Sequence, residues 1–258
     1  MDNKKVWYVT GASKGLGLAL VKELLEQGYR VAATSRCQEA LTEAIGTAEG
    51  FLPLEVDLTS DDSIARSIQA THATFGRIDV IVNNAGYPID GQLEELSAGE
   101  IVQSFDINVF ATIRVTQKAL PYLRDQGSGH IINISSIAAY AGVTGEAIYS
   151  AGKAAVMGLS EVLAEDLAPL GIKVTVLAAG RYVSKEDKLM ASPEKAAQVL
   201  VQLAEDPAPP VLLFLGKDAW YRAAAKATHV CDQLEEWKAI SFSTAISPVH
   251  KPSFHPSY

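Results

Sequence analysis

The sequence predicts a doubly wound parallel α/β sheet of about seven strands, with helices on both faces. Three observations predict it. Short apolar, β-rich runs alternate with longer helical patterns, and strands covered on both faces read as near-continuous apolar runs. A glycine-rich turn stands between the first apolar run and the first helical pattern. The 258 residues, 48% hydrophobic and without repeats or low-complexity tracts, suffice for one well-buried domain spanning 1–258.

The elements follow in order. Val6–Val9 is the first strand candidate and Leu16–Gln27 the first helix. Arg30–Thr34 and Leu52–Val56 read as strands, and Ser60–Phe75 as the helix after them. Ile78–Val82 is the fourth strand, followed by one long helix over Ile101–Arg124. His130–Ile134 and Ile172–Leu177 are strands separated by a helix at Ala147–Leu167. Pro193–Ala204 and Val211–Leu215 complete the alternation. Residues 181–192 leave a short or incomplete substrate loop, which borders the site because such sheets bind ligands beyond the carboxyl ends of their strands. A C-terminal helix and tail occupy 218–258. Asp218–Ile240 reads as an amphipathic helix that closes one side of a cleft or forms an interface, and the tail, with two prolines in HKPSFHPSY, as an exposed or partner-docked end.

Composition excludes several classes. No run of eighteen apolar residues is present, so no membrane partner is expected. The N-terminal MDNKKVWYVTGAS carries neither an apolar leader core nor a small-residue cleavage site. Cys37 and Cys231 lack metal-like spacing and suit a reducing cytosol, so a cytoplasmic location is expected. His72, His130, His229, His250 and His255 show no metal-ligand spacing, and no metal is assigned. A net charge of −8 disfavours nucleic acid as a general partner. A phosphate-bearing small molecule needs only a local basic pocket.

The first strand leads into Thr10-Gly11-Ala12-Ser13-Lys14-Gly15-Leu16-Gly17 and then a helix. Such a turn presents backbone N–H groups and the positive helix end to a phosphate. Gly11 permits the tight turn, and Gly15 and Gly17 permit close approach of backbone and cofactor. Dinucleotide folds that take NAD place an acid about 20 residues after the glycines. Here the second strand ends in Ala33-Thr34-Ser35-Arg36, without an acid. Arg36 and Lys14 either hold a 2′-phosphate or stand as two solvated cations. The missing acid favours NADP(H) as the cofactor. Asp57, beside Leu58, either accepts from an adenine amino group or forms the cap or turn of the next helix. Asn83-Asn84-Ala85-Gly86 either lets the backbone pass a ribose or is a plain Asn/Gly turn.

Tyr149 and Lys153 lie four residues apart on one face of a helix. A tyrosine hydroxyl, with a pKa of about 10, is a poor acid or base at neutral pH, and a cation one turn away lowers that value. Ser135 and Ser136 follow the fifth strand, at the edge where the site belongs, and either hydrogen-bond a substrate oxygen or cap a turn. No G-x-S-x-G elbow surrounds them, so neither reads as a nucleophile. Tyr140 is followed four residues on by Thr144, not by a cation.

TGASKGLG, NNAG at 83–86, Asn108 in FDINVF, Ser136 and YSAGK at 149–153 together resemble the short-chain dehydrogenase/reductase family, over about residues 4–180. The resemblance implies a Rossmann fold in which Ser136, thirteen residues before Tyr149, orients a carbonyl and Tyr149 passes the proton. It implies that Lys153 holds the nicotinamide ribose and depresses the tyrosine, and that Asn108 anchors a water of the proton relay. From the pattern alone, Asn108 is a polar residue tolerated in a long helix or a point of helix distortion. The resemblance also implies that Gly11, Ser13, Lys14, Gly15, Leu16, Gly17, Ser35, Arg36, Asp57, Leu58, Asn84, Ala85 and Gly86 line the cofactor with Asn108, Tyr149 and Lys153. Relatives commonly form homodimers or homotetramers. Two departures stand out. Ala178-Ala179-Gly180 replaces the usual Pro-Gly pair and long lid, and Ala111 replaces a frequent glycine.

The expected activity is NADP(H)-dependent hydride transfer to or from a ketone, aldehyde or secondary alcohol. A non-enzymatic NADP(H) sensor is the alternative, and an epimerase or dehydratase is disfavoured by the glycine spacing. A cleft framed by Tyr87, Pro88, Ile137, Tyr140, Val143 and Tyr182 would suit an apolar carbonyl.

Overall fold

The computed structural model describes residues 4–180 and 192–244. Seven strands form one parallel sheet: β1 (Val6–Val9), β2 (Arg30–Ser35), β3 (Phe51–Glu55), β4 (Val80–Asn83), β5 (Gly129–Ser136), β6 (Ile172–Ala179) and β7 (Leu212–Leu215). Their order across the sheet is β3-β2-β1-β4-β5-β6-β7, so the winding reverses between β1 and β4. The helices are α1 (Gly15–Glu26), α2 (Gln38–Ile45), α3 (Asp61–Phe75), α4 (Ala98–Phe105), α5 (Ala111–Gln126), α6 (Ile137–Tyr140), α7 (Ala147–Leu167), α8 (Pro193–Glu205), α9 (Lys217–Glu236) and α10 (Lys238–Phe242).

Strand side chains alternate between two apolar layers, as a pleated strand requires. Trp7, Val9, Val31 and Val82 pack with Leu20 and Leu24 of α1 and Leu200 of α8. Tyr8, Ala32, Ile81 and Ile131 face the other way, onto Ile64 and Ile68 of α3, Val115 of α5 and Leu167 of α7. Full burial of each such Leu, Ile or Val stabilises the fold by roughly 1.5–3 kcal/mol. Polar rungs cross the second layer. Asn83 Nδ2 donates to Asn133 Oδ1 at 2.8 Å, and Asn133 Nδ2 donates to Ser160 Oγ at 2.9 Å, which ties β4, β5 and α7 together.

Three elements differ from the sequence reading. The expected long helix over 101–124 is interrupted by a π turn at Asp106–Phe110, which joins α4 to α5. The helix α2 has no counterpart in that reading because Leu41 is its only buried residue, too little for a periodic signal. The expected helix at 218–240 divides at Trp237, where φ −98° and ψ 7° depart from helical values. Most of the substrate loop at 181–192, Tyr182 included, and the tail from 245 lie outside the described residues.

His130 on β5 is the acid-sensitive point of the core. Thr175 Oγ1 donates to the Pro210 carbonyl, so the 2.9 Å contact between Thr175 Oγ1 and His130 Nε2 must take its proton from the ring. Nδ1 is then bare, and it has no hydrogen-bond partner. Burial, reinforced by the charges of Lys173 and Lys5, lowers the ring to about 3. The unfolded ring, with a pKa of about 6.5, binds the proton that the folded ring refuses. Stability from this group is therefore complete above about 6.5 and is lost as pH falls toward 3, at about 1.4 kcal/mol per pH unit. Urea unfolding between pH 7 and pH 4 is expected to show this slope beneath that of the carboxylates. His130→Leu, which leaves the Thr175–Pro210 bond in place, is expected to flatten it.

Candidate active site

The glycine turn is fastened to the end of β4. Thr10 Oγ1 accepts from the backbone N–H groups of Asn84 and Ala85, each at 3.0 Å. Asn84 Nδ2 donates back to the carbonyls of Thr10 and Gly11 at 2.9 and 3.0 Å. The space between is filled by backbone: a Cβ on Gly17 would come within 2.5 Å of both Asn84 Nδ2 and the Gly11 oxygen. The turn is thus held open toward solvent at the start of α1, where Lys14 is the N-cap with an extended backbone and no side chain supplies the cap. Those amides remain available to an anion. Thr10 has no assigned role in the sequence reading. Its one signal in the sequence is its place at the head of the glycine motif.

A second knot lies across the reversal. The π turn brings Asn108 inward, where it is buried. Its Oδ1 accepts from Tyr87 N at 3.1 Å, while Nδ2 donates to the Tyr87 carbonyl at 3.0 Å and to Ser104 Oγ at 3.2 Å. Asn108 is therefore a helix distortion that pins the chain after NNAG. Gly86 sits between it and the lysine: a Cβ there would lie 2.7 Å from Asn108 Oδ1 and 3.1 Å from Lys153 Nζ. Lys153 is buried, and Nζ donates to the Ile134 carbonyl at 2.9 Å. Ser135 Oγ donates to the Lys153 carbonyl at 2.9 Å, so the serine preceding Ser136 locks α7 to β5 beside the lysine.

Ser136 and Tyr149 meet at the carboxyl edge of the sheet. Ser136 Oγ accepts from Ala138 N at 3.2 Å, capping α6, and its hydroxyl lies near enough to that of Tyr149 to favour the ionised tyrosine. Of the two alternatives for this serine, the cap is present, at the start of α6. Burial raises the Tyr149 hydroxyl above its ordinary value, the neighbouring Ser136 hydroxyl lowers it, and the nearby Glu146 carboxylate raises it. The sequence reading expects a tyrosine depressed by lysine, but burial outweighs a cation whose Nζ stands 5.8 Å from the ring centroid. Burial also depresses Lys153 itself, to about 8. Leu16, Gly86, Ser136, Tyr149, Lys153 and Gly180 are among the residues lining a cleft of about 170 Å³ here. Tyr87 and Pro88 reach it as expected. Ile137 and Tyr140 instead pack against Ala219, Ala223 and Phe214, with Tyr140 edge-on to Phe214 at 5.1 Å.

The remaining predicted residues flank the turn. Ser13 and Ser35 are half-buried, and Lys14 and Arg36 are exposed. Asp57 Oδ1 accepts from Thr59 N at 2.8 Å and Thr59 Oγ1 at 2.7 Å, which holds the carboxylate below its usual range, assisted by Arg114 and Arg36. Ser60, not Asp57, caps α3. Asp57 forms the turn before that cap, with Leu58 buried next to it. Among the described residues no cluster of three His, Cys, Asp or Glu side chains could hold a metal, and no helix is long and apolar enough to cross a membrane.

A fold that reverses its winding at a glycine turn, with a serine, tyrosine and lysine beyond it, defines a class of protein, and comparison supplies its family. Residues 5–194 match the short chain dehydrogenase family model. The chain is 31% identical to "Oxidoreductase BOA17" of Botryotinia fuckeliana, across 93% of this chain and 99% of that one. It superposes on a short-chain dehydrogenase from Streptomyces avermitilis with a TM-score of 0.89 and 32% identity, covering 95% of this chain and all of the other. The structure of ElxO with NADP bound matches with a TM-score of 0.78 and 25% identity, over 84% of this chain and 99% of that chain. The chain belongs to the short-chain dehydrogenase family of oxidoreductases.

Lys153 gives this site a stability signature of its own. An unfolded lysine, with a pKa of about 10.4, keeps its proton well above the folded value of about 8. The penalty for burying the charge is fully present below pH 8 and is relieved as pH rises from 8 toward 10.5. The melting temperature of the protein is expected to gain from this group across that interval. Lys153→Met is expected to melt higher than the parent at pH 7 and to lose the advantage by pH 10.

Proposed function

We propose that the chain is an NADP(H)-dependent oxidoreductase that moves a hydride between the nicotinamide and a ketone, an aldehyde or a secondary alcohol. The observation that carries this reading is the meeting of Ser136, Tyr149 and Lys153 in one cleft at the carboxyl ends of β5 and β6. The residues present fit a dinucleotide. Gly17 lets the glycine turn close on Asn84, and Gly86 lets the loop after β4 close on Asn108 and Lys153; the amides at the start of α1 suit its pyrophosphate, and β2 ends beside exposed Arg36 with no acid. Lys14 and Arg36 would hold the 2′-phosphate through charge-assisted bonds. Asp57 and Leu58 would border the adenine, with Ser13 and Ser35 along the phosphates.

When bound, the nicotinamide supplies or accepts the hydride. The chain's residues manage the proton and the geometry. Ser136 Oγ, beside the tyrosine, orients the substrate oxygen toward the Tyr149 hydroxyl, which donates the proton during reduction and accepts it during oxidation. Lys153 orders the ribose and keeps positive charge near the phenolate. Asn108, through Tyr87, fixes the strand-four loop that this machinery leans on. Tyr87 and Pro88 favour an apolar carbonyl. Exposed Val102, Phe110 and Val162 on α4, α5's entry and α7 favour association into a homodimer or homotetramer. Free, exposed Cys37 and Cys231 suit the cytoplasm.

NADPH oxidation against a panel of ketones, aldehydes and quinones tests the reaction. Tyr149→Phe is expected to lower turnover at least about 100-fold while NADPH binding persists. Binding of NADPH without turnover of any carbonyl would instead support a redox sensor, and full activity in Tyr149→Phe would remove the tyrosine from the mechanism. Replacing Arg36 with Asp is expected to weaken NADPH at least about 10-fold relative to NADH, as loss of a charged hydrogen-bond partner predicts. Unchanged preference would place the 2′-phosphate elsewhere.

A further inference from the structure

The helix α9 leaves the body of the protein partway along its length. Ala219 and Ala223 are buried against Ile137 of α6, but from Ala224 onward every described residue except Val230 is exposed. A stripe of Trp220, Ala224, Ala227, Cys231 and Leu234 recurs at alternating spacings of four and three, which keeps it on one helical face. Trp220 is 58% exposed and Leu234 66%. The stripe is large at both ends and small in the middle, with Ala227 at its centre.

This pattern suits its own reverse. Laid antiparallel on a second copy, the small central residues permit close helix approach, and each Trp220 meets a Leu234. A parallel arrangement would set the two Trp220 side chains against each other. Charge favours the same orientation. Lys217, Arg222 and Lys226 outnumber Asp218 in the first half of the helix, whereas Asp232, Glu235 and Glu236 outnumber Lys238 in and just beyond the second. The antiparallel pairing places the basic half of one helix beside the acidic half of the other. We infer that α9 is a self-association surface on which two copies of this chain pair antiparallel about a two-fold axis near Ala227. Such an isologous contact closes with two chains and leaves no open end.

Sedimentation of the full chain tests this inference without reference to the reaction. The parent is expected to sediment as an even number of 27.5 kDa chains. The variant carrying Trp220→Glu and Leu234→Glu is expected at half that mass with an unchanged circular dichroism spectrum, because both side chains are mostly solvated. In a Cys37→Ser, Cys231→Ser background, Ala227→Cys is expected to form an inter-chain disulfide under mild oxidation. Ala225→Cys, on another side of the helix, is expected not to form it. A single-chain parent, a charged variant that keeps the parental mass, or equal cross-linking at 225 and 227 overturns the inference. A single-chain parent that binds lipid vesicles or a different protein through this stripe overturns it as well.

Discussion

A parallel sheet that reverses its winding leaves one place where no crossover helix covers the strand ends, and here that place lies between β1 and β4. The helices α1 and α5 leave the reversal in opposite directions, one into each apolar layer. The loops after β1 and β4 must therefore face one another without a helix between them. Their contact is made by backbone and short polar groups: Thr10, Asn84 and the glycines. Bulk cannot be added there without parting the strands, which is why a cleft persists in so densely packed a molecule.

The polar groups around that cleft form two systems with different burdens. Asn83, Asn133 and Ser160 form a hydrogen-bonded chain deep between β4, β5 and α7 and fix how those elements align. Lys153 sits above them as a charge with one carbonyl as its bonded partner. A buried ammonium so thinly supported destabilises the fold that holds it. The surrounding anchors, Ser135 on its carbonyl and Asn108 on the Tyr87 peptide, keep the lysine from being expelled to solvent. Strain of this kind concentrates where a protein works rather than where it merely packs.

Much of this was legible in the sequence, for identifiable reasons. The inner strands, buried on both faces, leave uninterrupted apolar runs, and the half-buried edge strands β3 and β7 keep enough of that pattern to be read as well. The glycines of the first turn and the spacing of Tyr149 and Lys153 are local patterns with one geometric meaning each. Other features have no local signature. Asn108 lies in a segment whose periodicity continues across it, and a π turn requires only that one side chain find better partners off the regular path. Ser135 and Ser136 differ by one residue in the chain and by a whole role in space, a distinction that strand register decides. The balance of burial and charge on Tyr149 depends on a distance across the cleft, and spacing along a helix does not report it. Ile137 and Tyr140, apolar and near the site, were drawn away by α9, whose docking is a tertiary event.

The π turn also sets how the molecule responds to changes of length. It holds one more residue than an α-helical turn would, and each residue advances an α-helix by about 100°. Deleting any one residue between 106 and 110 would let the two flanking helices merge into an unbroken rod. It would also rotate α4 by about that angle relative to α5, turning the side chains of one helix away from the neighbours they now meet while leaving the composition almost untouched. The segment is thus a phase shifter between two helices. Its length, more than the identity of most of its residues, keeps them in step.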